Sequence, residues 1–327
     1  MTRRLSLAEA ADLAERACRA AGASDEAARS LARATVSADA HGKSSIGFAH
    51  LLDYLAAFRE GRIDGGAEPL VTSPAPAAIH CDARGGIAQL GFDRVFDDLR
   101  SRADTIGVAL FAQGGSYTTG ELGYYPRRLA EAGLVAFAAT NGPALIAVPG
   151  VKTPVYCTNP LAFAAPLEEG PPLLIDQASS ATAFVALKHL AERGEALPLG
   201  WAIDADGHET TDPRAAMRGA LLAFGGARGA NIALMVEVLA AGLAGANWSL
   251  DAPPYTSGNR SPGAGLLVIA IAPALLAPGF PRRLRLQLER LASLGVHIPG
   301  RRGGLQEIDL PNALAAEIER MGMLSRE

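Results

Sequence analysis

Six short apolar runs, at residues 77–82, 108–113, 134–140, 161–165, 173–176 and 266–272, are bounded by turn-forming residues and read as β-strands. Longer stretches at 90–104, 121–132, 181–193 and 229–244 read as helices between them. Strands and helices do not alternate strictly, so a regular parallel sheet with a helix after each strand does not fit, and the chain reads as α/β with a mixed sheet. No G-x-G-x-x-G follows any strand-like run, which leaves a Rossmann dinucleotide turn without support. Two helices, 7–21 and 25–40, come first; Ser24 is placed to cap the second, with Asp25 and Glu26 in its first turn. Thr211-Asp212-Pro213 marks a later helix start, with proline where a missing N–H does no harm. The proline-rich texture of 67–76 marks a domain boundary.

Composition narrows the function classes. Hydrophobic residues at 49% and charged residues at 20% suit a water-soluble globular enzyme. A net charge of -4, a pI near 5.9 and scattered arginines offer nucleic acid no basic field. Cys18, Cys81 and Cys157 show no metal-ligand spacing and form an odd set, so neither a metal site nor a disulfide framework is expected, and a reducing cytoplasm fits. Glu9, Asp12 and Glu15 interrupt the N-terminal segment before the apolar core of a signal peptide can form. The most apolar run, 232–246, contains Glu237, Gly242 and Gly245 and is too short to span a bilayer. A small-molecule substrate is the expected partner, with no nucleic acid and no membrane.

Two features invite a chemical reading on their own. Gly42-Lys43-Ser44 has the ending of a phosphate loop, but the loop's first glycine would fall at Ser37, inside a helix, so that reading fails. Asp176 closes the apolar run LLID, where a carboxylate is costly without a partner. It either serves a site or caps a helix starting near Ser179, and the residues alone leave both open.

Residues 42–54, GKSSIGFAHLLDY, resemble the G-x-x-S-H-G-x-x-R-L-x-x-Y element of the type-2 malate/lactate dehydrogenase family, whose members reduce 2-oxo acids or cyclic imines with a nicotinamide cofactor. Gly42, Ser45, Gly47, Leu51 and Tyr54 are in register. Further matches follow in order across residues 5–302. GELGYYPRRLAEAG at 120–133 resembles H-F-G-x-x-G-Y-Y, with Thr118 in the histidine's place. Thr140-Asn141 and Cys157-Thr158-Asn159-Pro160 resemble the T-N and G-T-N-P turns, and LIDQASS at 174–180 resembles L-D-M-A-T-S. Gly200-Trp201-Ala202 resembles G-W-A, GGARGANIALMVE at 225–237 resembles G-G-H-K-G-x-G-L-A-L-M-V-E, and Pro299-Gly300 resembles a closing P-G.

The resemblance implies an α/β fold in which a mixed, largely antiparallel, non-Rossmann cofactor sheet (76–176 and 261–302) is interleaved with a helical substrate-side subdomain (1–75 and 177–260). A C-terminal tail (303–327) would follow, and the protein would be a homodimer. Asp176 and Ser45 would flank the catalytic histidine, while Thr158, Tyr117 and the residue at position 46 would adjoin the substrate. Ser116, Thr118, Thr119, Gly120, Asp176, Gln177, Ala178, Arg228, Pro299, Gly300 and Arg301 would meet the cofactor. Arginines at 228, 301 and 302 suit the 2′-phosphate of NADPH, with NADH as the alternative.

This chain departs from the pattern at two positions. Ile46 stands where the family has its proton-donating histidine, and His50 where it has the arginine that grips a substrate carboxylate. On a continuous helix, Ile46 and His50 would share a face about one 5.4 Å turn apart, letting His50 supply the imidazole. A second solution needs no strong acid, because an imine can arrive already protonated. This favours NAD(P)H-dependent reduction of a C=N bond, such as that of a cyclic ketimine. The alternatives are a 2-hydroxy-acid dehydrogenase with its acid relocated to His50 or Tyr117, and a redox-inactive binding or scaffold relative. The catalytic candidates are Ser45, His50 and Asp176.

Overall fold

The computed structural model describes residues 1–300 and 303–323. It opens with strand β1 (Thr2–Ser6) and helices α1 (Leu7–Ala21) and α2 (Asp25–Ala40). Side chains satisfy the free N–H groups at both helix starts: Ser6 and Glu9 form a reciprocal capping box, and Ser24 accepts from Ala27 N. Ala10, Leu13, Ala14, Ala17, Cys18 and Ala21 form the buried face of α1, at the spacing of one helical stripe.

After α2 the chain turns through Gly42, at φ +75°, and Lys43 N–H reaches back to the Ala38 carbonyl. One 3-10 turn, Ser44–Ile46, precedes helix α3 (Phe48–Arg59). Gly47 separates turn from helix (φ −96°, ψ −121°), and Asp39 Oδ2 accepts the Phe48 N–H at 2.6 Å. A Cβ at position 47 would lie 1.9 Å from that oxygen, so only glycine lets the cap form. The expectation that Ile46 and His50 share one helical face is thereby corrected. The Asp39 cap starts the helix after Ile46, and the two residues belong to different elements.

The middle of the chain supplies β2 (Leu70–Ala75), β3 (Ala78–Asp82), α4 (Ala88–Ile106), β4 (Val108–Ser116), α5 (Tyr124–Glu131), β5 (Val135–Thr140), β6 (Ile146–Ala147), β7 (Leu161–Ala165) and β8 (Leu173–Gln177). Then come α6 (Phe184–Arg193), β9 (Ala202–Ile203), α7 (Pro213–Ala216), β10 (Ala220–Leu222), α8 (Ala227–Glu237) and β11 (Ala264–Ile271). Seven strands form one sheet in the order β2-β3-β4-β11-β5-β7-β8. The β3–β4 pairing is parallel and the other five are antiparallel, which is the mixed, largely antiparallel sheet expected. On the core side, Phe92, Val95 and Leu99 of α4 and Tyr125 and Leu129 of α5 pack with Phe111, Ala136, Leu266 and Val268 of the central strands. The stretch read as a boundary, 67–76, contains edge strand β2, where Pro74 is tolerated because one side of an edge strand needs no ladder donor.

A second, three-stranded sheet of order β6-β10-β9 has its own core of Ile146, Leu187, Leu197, Ala202, Leu221 and Ala233. Of the two stretches expected to form one helical subdomain, 1–75 buries its apolar side chains mainly in an N-terminal cluster and 177–260 mainly in this one, with Tyr255 packed against the first. The last elements are α9 (Pro273–Leu276), α10 (Phe280–Ser293), β12 (Glu307–Pro311) and α11 (Asn312–Met323). Strand β12 pairs with β1, and Ile308, Leu310 and Ile318 are buried in the N-terminal core. The described part of the expected C-terminal tail is thus integral to that core.

Burial raises the Asp39 carboxyl to about 6, although the Phe48 N–H opposes the shift. A folded-state value above the unfolded one means that the carboxyl supports the fold below about pH 4 and that this support is lost as pH rises through 6. Asp39→Asn keeps an acceptor without the charge, so its denaturant midpoint should gain on wild type between about pH 4 and 7. A difference that stays constant over that range would contradict the burial argument. Gly47→Ala should lower stability by about 1–3 kcal/mol in the same unfolding measurement.

Candidate active site

Asp176 lies near the end of edge strand β8, opposite Ala162 of β7. Its Oδ2 accepts two hydrogen bonds, from Lys43 Nζ at 2.8 Å and from the Gly123 N–H at 3.2 Å. Gly123 stands at the start of α5, and a Cβ there would come within 3.0 Å of the same oxygen. Asp176 and Lys43 line a cavity of about 500 Å3 together with Pro299 and Gly300. Gly300 can lie against β8 only as glycine: at φ +76°, its Cβ would fall 2.6 Å from Leu174 N. The cavity wall is stiffened by Arg127 and Glu121, which pair through two 2.9 Å bonds with both side chains buried, while Arg127 also donates to Ser37 Oγ at 2.7 Å. His41, His297 and the exposed Glu131 complete its ionisable lining.

The structure therefore brings together Asp176, Pro299 and Gly300, and adds Lys43. Ser45 is exposed and Ile46 half-buried in the 3-10 turn just after Lys43. His50 lies one element further on, with Nδ1 2.9 Å from Asp53 Oδ2 and its ring edge-on to Tyr54. Tyr117 is buried, and its hydroxyl is engaged by Arg62 Nη1 at 3.0 Å and by the Tyr255 carbonyl at 3.0 Å. Burial pushes this phenol up to about 12. Thr158 contributes its carbonyl to Ser179 N, in the strand-to-helix passage that also carries exposed Gln177 and half-buried Ala178.

The other cofactor candidates fall into two groups. Ser116 is buried and donates to the Ala264 carbonyl at 2.9 Å. Thr118 accepts the Tyr54 hydroxyl on its carbonyl, and Thr119 accepts from Tyr125 and Gln89 in the same way, so the segment leading to Gly120 is pinned through its backbone. Arg228 is exposed in the first turn of α8, behind Gly225 and Gly226. Those glycines line a second cavity of about 560 Å3 with Lys152. Arg301 lies outside the described residues.

Sequence reasoning passes over Lys43, whose local pattern gives only the failed phosphate-loop signature, and over the Glu121–Arg127 pair, whose spacing matches no helical contact. The available clue to Lys43 was its place two residues before Ser45.

The sequence and the fold have known counterparts. The malate/L-lactate dehydrogenase family matches residues 5–307. The chain belongs to this family, a class of oxidoreductases. It is 36% identical to the (2R)-3-sulfolactate dehydrogenase (NADP(+)) of Chromohalobacter salexigens over 97% of this chain and 98% of that one. It is 34% identical to a Δ1-pyrroline-2-carboxylate/Δ1-piperideine-2-carboxylate reductase of Pseudomonas aeruginosa, over 96% and 98% of the two chains. The crystal structure of Δ1-piperideine-2-carboxylate reductase from Pseudomonas syringae pv. tomato superposes with a TM-score of 0.92 at 33% identity, covering 98% of this chain and all of the other.

Because His50 is paired with Asp53 rather than with Asp176, His50→Ala should keep initial rates within about threefold of wild type, well short of the effect of removing a general acid. A loss of two or more orders of magnitude would return the imidazole to the chemistry.

Proposed function

We propose that the protein is an NADPH-dependent reductase of a C=N bond, with a cyclic ketimine carboxylate as substrate. The observation that carries this reading is Asp176 holding a cation in a roughly 500 Å3 cavity edged by Pro299 and Gly300, with Ile46, not an imidazole, in the adjoining turn. An imine nitrogen is basic enough to take its proton from a mild acid, and hydride then quenches the positive charge, whereas addition to a ketone builds negative charge on oxygen and calls for a strong acid. The pyrroline- and piperideine-carboxylate reductases among the relatives support the same choice. The sulfolactate dehydrogenase relative favours a second reading, a 2-hydroxy-acid dehydrogenase.

The residues fit a nicotinamide dinucleotide. Gly225 and Gly226, at φ +56° and +63°, leave the space open where side chains would project. They precede the N-terminus of the 11-residue helix α8, and Lys152 and Arg228 add positive charge, a donor set suited to phosphate. Asp176, Gln177, Ala178, Pro299 and Gly300 would line the remaining path, with Ser116, Thr118, Thr119 and Gly120 as backbone support. When bound, the dinucleotide supplies the hydride; the chain's task is to seat the reactants and keep water out.

The protein is further proposed to be a cytoplasmic homodimer. Its three cysteines are free and buried, which fits a reducing compartment, and no described helix is long and apolar enough to cross a membrane. Leu234, Met235, Val238, Leu243, Trp248 and Leu250 expose an apolar stretch along α8 and the segment after it, as an interface would.

Fluorescence titration of the purified protein should give micromolar NADPH binding, tighter than NADH, and a rate panel should favour cyclic ketimine carboxylates over 2-oxo acids. Binding to neither cofactor would move the weight to a redox-inactive relative, and faster oxo-acid turnover would select the second reading. Sedimentation should find a dimer, and Leu243→Asp should shift it toward monomer.

A further inference from the structure

We propose that Lys43 is the proton donor of the reaction, delivering its proton to the substrate nitrogen from a seat fixed by Asp176. The inference rests on the reductase reading above and supplies the acid that this reading leaves unassigned.

The geometry separates Lys43 from the other candidates. Its Nζ uses one of three N–H bonds on Asp176 Oδ2, and the side chain stays 32% exposed while that of Asp176 is 11% exposed, so the remaining protons have access to open space. Its backbone is fixed at both ends, with Lys43 N–H on the Ala38 carbonyl and Ile46 N–H on the Lys43 carbonyl, so the ammonium does not depend on a loose loop for its position. Arg127, in the same cavity, is closed into its pair with Glu121, and a guanidinium does not give up a proton. His41 turns Nδ1 to the Ser37 carbonyl at 2.7 Å, and His297 is exposed on the loop after α10. His50 and Tyr117 are engaged outside this cavity.

In the step, a Lys43 Nζ–H bond breaks as an N–H bond forms from the lone pair of the imine nitrogen. The neighbouring carbon receives the hydride of the reduced nicotinamide, and the C=N π pair moves to nitrogen as the amine's lone pair. One proton and one hydride have then been added, the dinucleotide is oxidised, and the neutral Lys43 amine recovers its proton from water in the cavity. Asp176 remains a carboxylate and acts as the positioning residue.

The test compares Lys43→Ala, Lys43→Arg and His297→Ala with wild type in the full chain, using NADPH and Δ1-pyrroline-2-carboxylate. Lys43→Ala should lower kcat about 100-fold or more with KM within about threefold. Lys43→Arg, which keeps the charge but holds its protons, should not recover the rate. Ethylammonium added to Lys43→Ala should restore turnover in proportion to its concentration. NADPH binding by fluorescence should stay within about twofold of wild type in every variant, separating loss of the acid from loss of the fold or cofactor site. Full activity in Lys43→Arg, or a raised KM with unchanged kcat in Lys43→Ala, would overturn the proposal and leave Lys43 an anchor for the substrate carboxylate. A loss confined to His297→Ala would assign the proton to that histidine. A wild type that reduces neither imines nor oxo acids would remove the reductase reading and the Lys43 role with it, whereas an active wild type matched by Lys43→Ala removes the Lys43 role alone.

Discussion

The Asp176 carboxylate is the point at which three elements distant in sequence are held in register. It sits on edge strand β8, accepts the main-chain N–H that begins α5, and binds the lysine of the loop that leaves α2. A largely buried carboxylate stripped of these partners would be strongly destabilised, so the sheet edge and the loop of 41–47 are constrained to meet. The placement of Ser45 and Ile46 beside the cavity follows from that constraint, because the 3-10 turn carrying them begins directly after Lys43. The bidentate Arg127–Glu121 pair repeats the principle in the same cavity, joining α5 to α2 through Ser37.

Around this carboxylate the backbone is packed more closely than side chains would allow. Gly123 and Gly300 are both motif positions, and in each case the reason is the approach of another atom, Asp176 Oδ2 in one and Leu174 N in the other. The glycines therefore define the cavity's shape as directly as its charged residues do. They also explain how a site can keep its form while the residue at position 46 changes from a titratable ring to an aliphatic side chain.

Local signals made much of the fold legible. The run 161–165 is strand β7 to the residue, Ser24 caps the helix it was placed to cap and Pro213 opens α7 at its first position, because turns and caps are decided within a few residues. Strands of two or three residues, β6, β9 and β10, carry no periodicity and were invisible. In the site, Asp176 stood out because a carboxylate ending an apolar strand demands a partner. Lys43 did not, because that partner is 133 positions away. The shared face of Ile46 and His50 was a helical inference undone by a side chain from the preceding helix, Asp39. Tyr117 looks like an available phenol in sequence, but Arg62 and Tyr255, 55 and 138 positions distant, occupy its hydroxyl.

The pairing of β1 with β12 has a consequence for the order in which the molecule can form. Arg3 and Glu319, 316 positions apart, are bound side by side, and the core beneath α1 is completed by Ile308, Leu310 and Ile318. During synthesis the first helices leave the ribosome long before the residues that finish their core. They must wait as an incompletely covered pair while the central sheet and the three-stranded sheet assemble. The N-terminal helical layer is thus the first made and the last closed, which concentrates exposure to chaperones and proteases in the interval before β12 arrives.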